Sequence, residues 1–474
     1  MTEIYELSAR ELRAGYEART FSPEEVVVAM FERIDALEPS LNVFISQTRD
    51  LALEQARDAA LAWRLRDGKQ LPPLLGVPIT IKDLVDVQDV PTTMGSLVTD
   101  HRPAPSDELF VERLREAGAV FLGKTNTSEF GLAAQTMNRL GPPTANPWNL
   151  ERTAGGSSGG AAAACAAGYG PLHHGTDGGG SVRVPAAFCG VVGLKPTGRR
   201  IPRRTRGAGM SQISTDGVLA RTVADAALMV DVMAGSEEWN PHVKNTRSEP
   251  AIATVSERGF DVQGLRVAWT TQLGWPTPCE RLIAERAKVA GEMLQAAGAE
   301  VVEATPEISD PNEIFPTLSA VGAAANYGEM CVGREQELND YTLGSLRRGR
   351  SLTGIRVAEA YAALDRLSRA MDAWFDDFDV LLTPTSAIAA HPHGAVIDEI
   401  AATSVTPWTI SILYTPLANL IQAPAIAMPA GLDGDGLPVS VQLIAREGND
   451  DLVLRCAAVL EEAGLNNASP LAPV

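Results

Sequence analysis

The chain has 474 residues, 45% of them hydrophobic, with 42 glycines, which is enough to bury a large core in an enzyme-sized globular unit. Lys and Arg number 40 against 59 Asp and Glu, and the formal charge of −19 repels phosphate backbones and anionic membrane surfaces, so neither nucleic acid nor membrane is expected as a partner. Five cysteines (Cys165, Cys189, Cys279, Cys331 and Cys456) form no CxxC pair, and the six histidines, with His391 and His393 among them, show no HExxH pattern, so no disulfide framework, metal or other cofactor is expected.

No charged-then-apolar leader precedes MTEIYELSAR and no apolar run approaches the ~20 residues that span a bilayer, so a cytoplasmic location is expected. SARE and SPEE read as capping boxes that open two helices, the second with Pro23 at its first position and Val27, Met30, Phe31, Ile34 and Leu37 at helical spacing. LALEQARDAALAWRLRDG reads as a third helix ending at Gly68. Thereafter short apolar runs alternate with helical patterns: GVPITIKDL, DELFVERLREAGA, VFLGKTN, the alanine-rich AAAACAAG, and LARTVADAALMVDVMAG. Strands interleaved with helices predict an α/β layered sheet. From Pro311 to Phe378 the pattern is mostly helical, including RVAEAYAALDRLSRAMDAWFDDF, and reads as a cap on that sheet. DVLLTPT resumes a buried strand; PAIAMPAG, LDGDGLP and VSVQLIA follow as strand, loop and strand, and DDLVLRCAAVLEEAG closes as a helix. Without repeats or a long linker, one large domain with an insertion is the economical reading.

Three stretches carry chemistry. In HGTDGGGSVRVPAAFCG, a serine follows three glycines, and N–H groups of such a turn converge on one concavity that stabilises an oxyanion. Gly178, Gly179, Gly180 and Ser181 supply it, with the Ser181 hydroxyl beside the hole; a structural or phosphate-binding turn is the alternative. In AGGSSGGAAAACAAG, Ser157 and Ser158 stand where a helix is ordinarily N-capped. Gly155 to Gly159 also satisfies GxSxG, but NPWNLERTAGG before it has no strand character and neither His391 nor His393 is marked as a base, which argues against a nucleophile elbow. In LLGVPITIKDLVDV, strand alternation puts Ile79 and Ile81 on one face and Thr80 and Lys82 on the other. Burial of Lys82 would favour its neutral amine, a competent proton acceptor; a solvent-facing lysine, or one paired with Asp83, is the alternative.

TAGGSSGGAAAACAAGYGPLHHGTDGGGSVRVPAAFCGVVGLKPTGR closely resembles the signature region of the amidase signature family of serine hydrolases. The resemblance extends through GVPITIKD, FLGKTNTSEF, STDGVLARTVADAALMVDVMAG, DVLLTPT and QAPAIAMPAGLDGDGLPVSVQLI. It implies a single amidase domain with a mixed central sheet covered by helices on both faces: N-terminal helices at 1–68, a signature core at 70–235, the helical insertion at 311–378 and a return to the sheet at 379–474. It further implies that Ser181 is the acyl-accepting nucleophile, Ser157 a bridging serine held by a cis peptide bond, and Lys82 the base. Asp177 and Arg183 would pair to hold the nucleophile turn, with Thr176 and Ser158 adding hydrogen bonds. Cys189 reads as packing.

Two departures stand out. Gly178 occupies a position usually held by a larger residue, and His173 and His174 stand where small apolar residues are usual. NLIQAPA also lacks the hydroxyl-plus-glycine pair often found before its proline. Stretches 131–145 and 314–327, with Met137, Phe315 and Tyr327, are the expected pocket wall, and their lack of a charge cluster favours an apolar acyl or aryl substrate. The leading expectation is a cofactor-free hydrolase of small-molecule amides, with esters and carbamates as further substrates. A glutaminase subunit of a tRNA-dependent amidotransferase, which would need partner subunits, and a non-catalytic binding homologue are the alternatives; retention of Lys82, Ser157 and Ser181 argues against the last. The oligomeric state is not legible.

Overall fold

Strict two-residue alternation shapes the centre of the molecule: Ile79 and Ile81 enter one apolar core while Thr80 and Lys82 point away from it, as the alternation requires. The computed structural model describes residues 3–66, 68–204, 209–235, 261–275, 277–308, 310–311, 314–394, 410–466 and 471–473. In chain order the elements are α1 (Ala9–Ala18), α2 (Pro23–Leu41), β1 (Phe44–Gln47), α3 (Arg49–Arg64), β2 (Pro78–Lys82), α4 (Leu109–Glu116) and β3 (Val120–Thr125). A short arm β4 (Ala145–Asn146) and β5 (Asn149–Thr153) precedes α5 (Gly159–Ala167), β6 (Leu172–Asp177), α6 (Arg183–Cys189), β7 (Val192–Lys195), β8 (Thr215–Ala220) and α7 (Val223–Met233). Then come β9 (Arg266–Trp269), α8 (Arg281–Ala296), β10 (Glu300–Glu303), α9 (Ile314–Tyr327), α10 (Asp340–Ser351), α11 (Gly354–Trp374), β11 (Val380–Pro384), α12 (Pro416–Leu420), β12 (Ala425–Leu432), β13 (Pro438–Ala445) and α13 (Asp450–Glu462).

Among the described residues, eleven strands form one mixed sheet in the order β1-β3-β2-β6-β8-β7-β12-β13-β11-β9-β10. β2 runs parallel to both β3 and β6, whereas β6, β8, β7, β12, β13 and β11 pair antiparallel in succession. One face is covered by α4, α7, α8 and α13, the other by α1, α2, α3, α5 and α6 and, further along the sheet, by α9, α11 and α12. The fold is therefore a single α/β domain with helices on both faces, as expected.

The capping boxes form as read: Ser8 and Glu11 close α1, and Ser22 and Glu25 close α2 with Pro23 at its start. Two local readings are corrected, and one stretch left unread gains its elements. α3 stops at Arg64, its cap carbonyl bond made by the Leu65 N–H to Leu61, and Gly68 lies beyond it in a turn at φ +72°. NPWNLERT does contain a strand, β5, paired only with β4 in a two-stranded arm outside the main sheet. The chain between 261 and 308, which carries no motif, builds β9, α8 and β10 at one sheet edge.

At the ends of the parallel strands, Lys124 on β3 and Asp83 just after β2 form an ion pair of 3.0 Å at 1% and 0% side-chain exposure. Lys124 Nζ also donates to Pro91 O and Thr92 Oγ1, and Asp83 accepts from the Thr93 N–H and hydroxyl, so the pair staples the 91–93 loop to the strand that carries Lys82. Removing one member leaves a buried charge uncompensated. Lys124→Met is expected to lower the unfolding free energy by about 3 kcal/mol in urea titration, and adding Asp83→Asn should recover part of that loss.

Candidate active site

β2 and β6 run parallel, so Lys82 at the end of β2 and Thr176 and Asp177 at the end of β6 emerge at the same edge of the sheet. The loop that opens α5 delivers Ser157 and Ser158 to that edge, and the turn that opens α6 delivers Ser181; the Ser158 N–H donates to the Ser181 carbonyl at 3.2 Å, tying the two turns together. The Gly156–Ser157 peptide is cis, as the resemblance implied. A side chain at Gly156 would run into the backbone of Ala134 and Gln135, so glycine is required for this close approach.

Lys82 is wholly buried, and its Nζ lies 2.7 Å from Ser157 Oγ, 2.8 Å from Ser158 Oγ and 2.9 Å from Thr176 Oγ1. Burial holds its pKa well below the ordinary lysine value; Asp177 and Asp216 oppose that shift and Arg203 reinforces it. A neutral amine has two N–H donors and one lone pair, so three hydroxyl contacts fit if one hydroxyl donates to nitrogen. The Ser158 hydroxyl is directed at the Thr176 carbonyl at 3.3 Å, which leaves its oxygen to accept from Lys82, whereas the Ser157 hydroxyl has no other partner among the described residues. Ser158, placed at the start of α5, makes no side-chain cap there; its hydroxyl serves the lysine instead.

Ser157, Thr176, Gly178, Gly179 and Ser181 open onto one cavity of about 810 Å³. Ser181 is partly exposed to it, and among the described residues its hydroxyl makes no hydrogen bond, so the Ser157–Ser181 contact is not closed in this conformation. The glycine turn divides its amides. Gly180 donates its N–H to Asp177 Oδ1 at 2.7 Å, so the expectation that it faces an oxyanion is corrected: the amide is committed to the carboxylate. Gly178 and Gly179 line the cavity. Gly179 is held by the Thr415 hydroxyl on its carbonyl at 2.6 Å, and the Phe315 ring fills the space a side chain there would need.

The turn itself is anchored below. Arg183 and Asp177, both wholly buried, pair bidentately at 3.0 Å through Nε and 2.9 Å through Nη2. The remaining guanidinium N–H groups donate to Thr415 O, Gln442 Oε1 and Asn419 Oδ1, so all five are used. Burial alone would raise the Asp177 pKa; Arg183 outweighs it and holds the carboxylate well below its usual range. Asn419 on α12 and Gln442 on β13 were not singled out from sequence; the signal was an amide inside otherwise apolar runs, PLANL and VSVQLIA.

His173 and His174 are interior residues of β6. His173 accepts from the Thr80 hydroxyl at Nδ1 and donates from Nε2 to Gly170 O, and burial lowers its pKa to about 3. His174 accepts the Lys82 backbone N–H at Nδ1 (3.3 Å) and donates from Nε2 to Asp216 Oδ1 (2.9 Å), with Phe110 beside its ring. Both are neutral imidazoles in this hydrogen-bond arrangement. His391 lies against Phe188, away from the cavity lining, and is no base for Ser157. Cys189 is buried packing, its burial pushing the thiol pKa up.

Of the expected wall residues, Phe315 and Tyr327 line the cavity, but Met137 does not: it is 36% exposed and its carbonyl accepts from Tyr341. Leu84, Met94, Phe130 and Ile412 add apolar surface to the lining, Phe130 stacking on Tyr327 at 4.4 Å, while Asp86, Glu108, Arg203 and Arg348 bring charged groups to it from outside those two stretches. Glu129 clamps this wall, accepting from the Ser96 hydroxyl and from Asn339, while its N–H donates to Tyr341.

The family model described as Amidase matches residues 25–454. An acylamidase of Rhodococcus erythropolis is 40% identical over 97% of this chain and 96% of its own length. One subunit of the glutamyl-tRNA(Gln) amidotransferase of Carboxydothermus hydrogenoformans is 33% identical over 97% of this chain and 98% of its own. Among solved structures, a bacterial aryl acylamidase of the amidase signature family superposes with a TM-score of 0.89 at 27% identity, covering 98% of this chain and 97% of that one. No described helix is long and apolar enough to cross a membrane.

The depressed lysine has a thermodynamic signature. Between its folded pKa and its value near 10.4 in the unfolded chain, the unfolded state binds the extra proton, so stability rises with pH through that window. In urea titrations the unfolding free energy of the wild type relative to Lys82→Met is expected to increase from pH 7 to pH 9.5; a flat or falling difference would mean an ordinary, charged lysine.

Proposed function

Since this chain belongs to the amidase family and is a hydrolase of carbon–nitrogen bonds, we propose that it cleaves small-molecule amides through an acyl-enzyme on Ser181, with Ser157 as proton bridge and Lys82 as base. The observation that carries this reading is the fully buried Lys82 amine, 2.7 Å from Ser157 Oγ, behind a cavity that Ser157 and Ser181 share.

The Ser181 hydroxyl turns toward Ser157, and as its oxygen attacks the carbonyl carbon its proton passes to Ser157 Oγ while the Ser157 proton passes to the Lys82 lone pair. The carbonyl oxygen takes up the electron pair and is stabilised by N–H groups of the glycine turn, for which Gly178 and Gly179 remain available. Lys82, now an ammonium, returns its proton through Ser157 to the leaving nitrogen, and the C–N bond breaks. Water then repeats the sequence on the acyl-enzyme. Ser158 and Thr176 hold the lysine in line, and the Asp177–Arg183 pair holds the turn.

The apolar wall of Phe130, Phe315, Tyr327 and Ile412 suits an aryl or alkyl group. The names of the acylamidase and aryl acylamidase relatives support amides of that kind. Esters and carbamates pass through a similar tetrahedral intermediate and are proposed as further substrates. The higher identity to the acylamidase, 40% against 33% for the amidotransferase subunit, favours this reading over that of a glutaminase subunit.

Lys82→Met is expected to lower kcat/KM for an aryl amide by about 10³–10⁴-fold and to harm the matching ester less, because an alkoxide or phenoxide leaves with less help from a proton. Wild-type kcat/KM for the amide should rise with pH along one deprotonation that lies below the ordinary lysine range, as the amine loses its proton. Equal rates for wild type and Lys82→Met, measured across a panel of amides, esters and carbamates, would remove the relay.

A further inference from the structure

The cavity wall contains charged groups that the relay does not use: Asp86, Glu108, Arg203 and Arg348. Arg203 lines the same cavity as Ser157 and Ser181, and a quarter of its side chain remains exposed there. Its Nε and Nη2 donate to the two oxygens of Asp216 at 2.7 and 2.5 Å. Asp216, at 1% exposure, also accepts from His174 Nε2, and His174 in turn accepts the backbone N–H of Lys82. The guanidinium is thus fixed in orientation by a buried chain of hydrogen bonds that runs back to the strand carrying the lysine. Two of its five N–H groups are spent on Asp216; the two on Nη1 and one on Nη2 have no partner among the described residues.

The charges around it decide what those donors can take. Asp216 offsets the guanidinium charge, and Glu108 faces the same cavity with one carboxylate oxygen bound to the N–H groups of Leu109 and Arg204. The phenol of Tyr327 faces it too. Asp86 and Arg348 line the cavity as well, so two guanidinium groups stand against the three carboxylates of Asp86, Glu108 and Asp216, and Arg203 is a strong, rigid hydrogen-bond donor without net attraction for an anion. Resting on the amidase reading above, we infer that Arg203 is a specificity-determining donor that binds a neutral acceptor oxygen, such as a second carbonyl, elsewhere on the amide substrate. The preferred substrates are then amides with an apolar body and one such oxygen beyond the scissile bond, rather than plain alkyl or aryl amides or substrates bearing a carboxylate.

The test is a set of anilides of one acyl chain length with a keto group stepped along the chain, a matching set with the keto group on the amine side, the unsubstituted parent and a carboxylate-bearing member. Wild type should favour the best-placed keto amide over its parent by about tenfold in kcat/KM, mostly through KM, the size of one hydrogen bond to a charged donor. In Arg203→Met that ratio should collapse toward unity, and Arg203→Lys should restore part of it. Should the variants fail to fold, the wild-type ratios decide alone: no keto preference at any position, or a preference for the carboxylate, overturns the inference. Hydrolysis of no anilide at all would instead count against the amidase reading, which separates the two failures.

Discussion

A primary amine shut away from water and surrounded only by hydroxyl oxygens cannot easily stay charged, and the site is built around that constraint. An ammonium at Lys82 would have to give up its hydration for three hydroxyl groups and no directly bonded carboxylate. Desolvation therefore outweighs the attraction of Asp177 and Asp216, and burial favours the neutral amine, the form that the proposed role of base requires. This explains why Lys82 is placed at the end of an inner strand, where β3 and β6 flank it, and why its neighbour Asp83 is paired with Lys124 and not with it.

The second organising feature is the opposite case, a charge pair that is buried and fully satisfied. Arg183 reaches from the glycine turn that carries Ser181 to Thr415, Asn419 and Gln442, residues more than 230 positions away in sequence. The turn between β6 and α6 is thereby fastened to the far half of the sheet, and Asp177 uses its remaining capacity on the Gly180 N–H and on Asn419. Removing either charge would leave the other buried and unpaired, so this pair holds the turn in one geometry. The commitment of Gly180 follows directly: an amide that anchors the turn to its carboxylate is not free for an oxyanion.

Much of this was legible in the sequence because it rests on local pattern. Alternation around Lys82 identified the faces of β2, the serine and glycine spacing marked both turns, and the capping boxes at Ser8 and Ser22 set the first helices. What escaped depends on long-range partners. Asn419 and Gln442 become meaningful only once Arg183 lies between them, and Arg203 and Asp216 only once His174 joins them to β2. Met137 was misplaced because a loop with no periodicity does not announce which side chains turn inward. The β5 arm escaped because its strand is short, mostly exposed and paired outside the main sheet, so no apolar alternation betrays it.

The most direct test of a neutral Lys82 acting through Ser157 on Ser181 is to follow acyl transfer itself. An activated aryl ester, mixed with the protein, quenched at short times and read by peptide mass spectrometry, should leave its acyl group on Ser181, at a rate that rises with pH along one deprotonation and loses that dependence in Lys82→Met. An acyl group found on another residue, or the same pH-dependent rate on Ser181 in Lys82→Met, would contradict it.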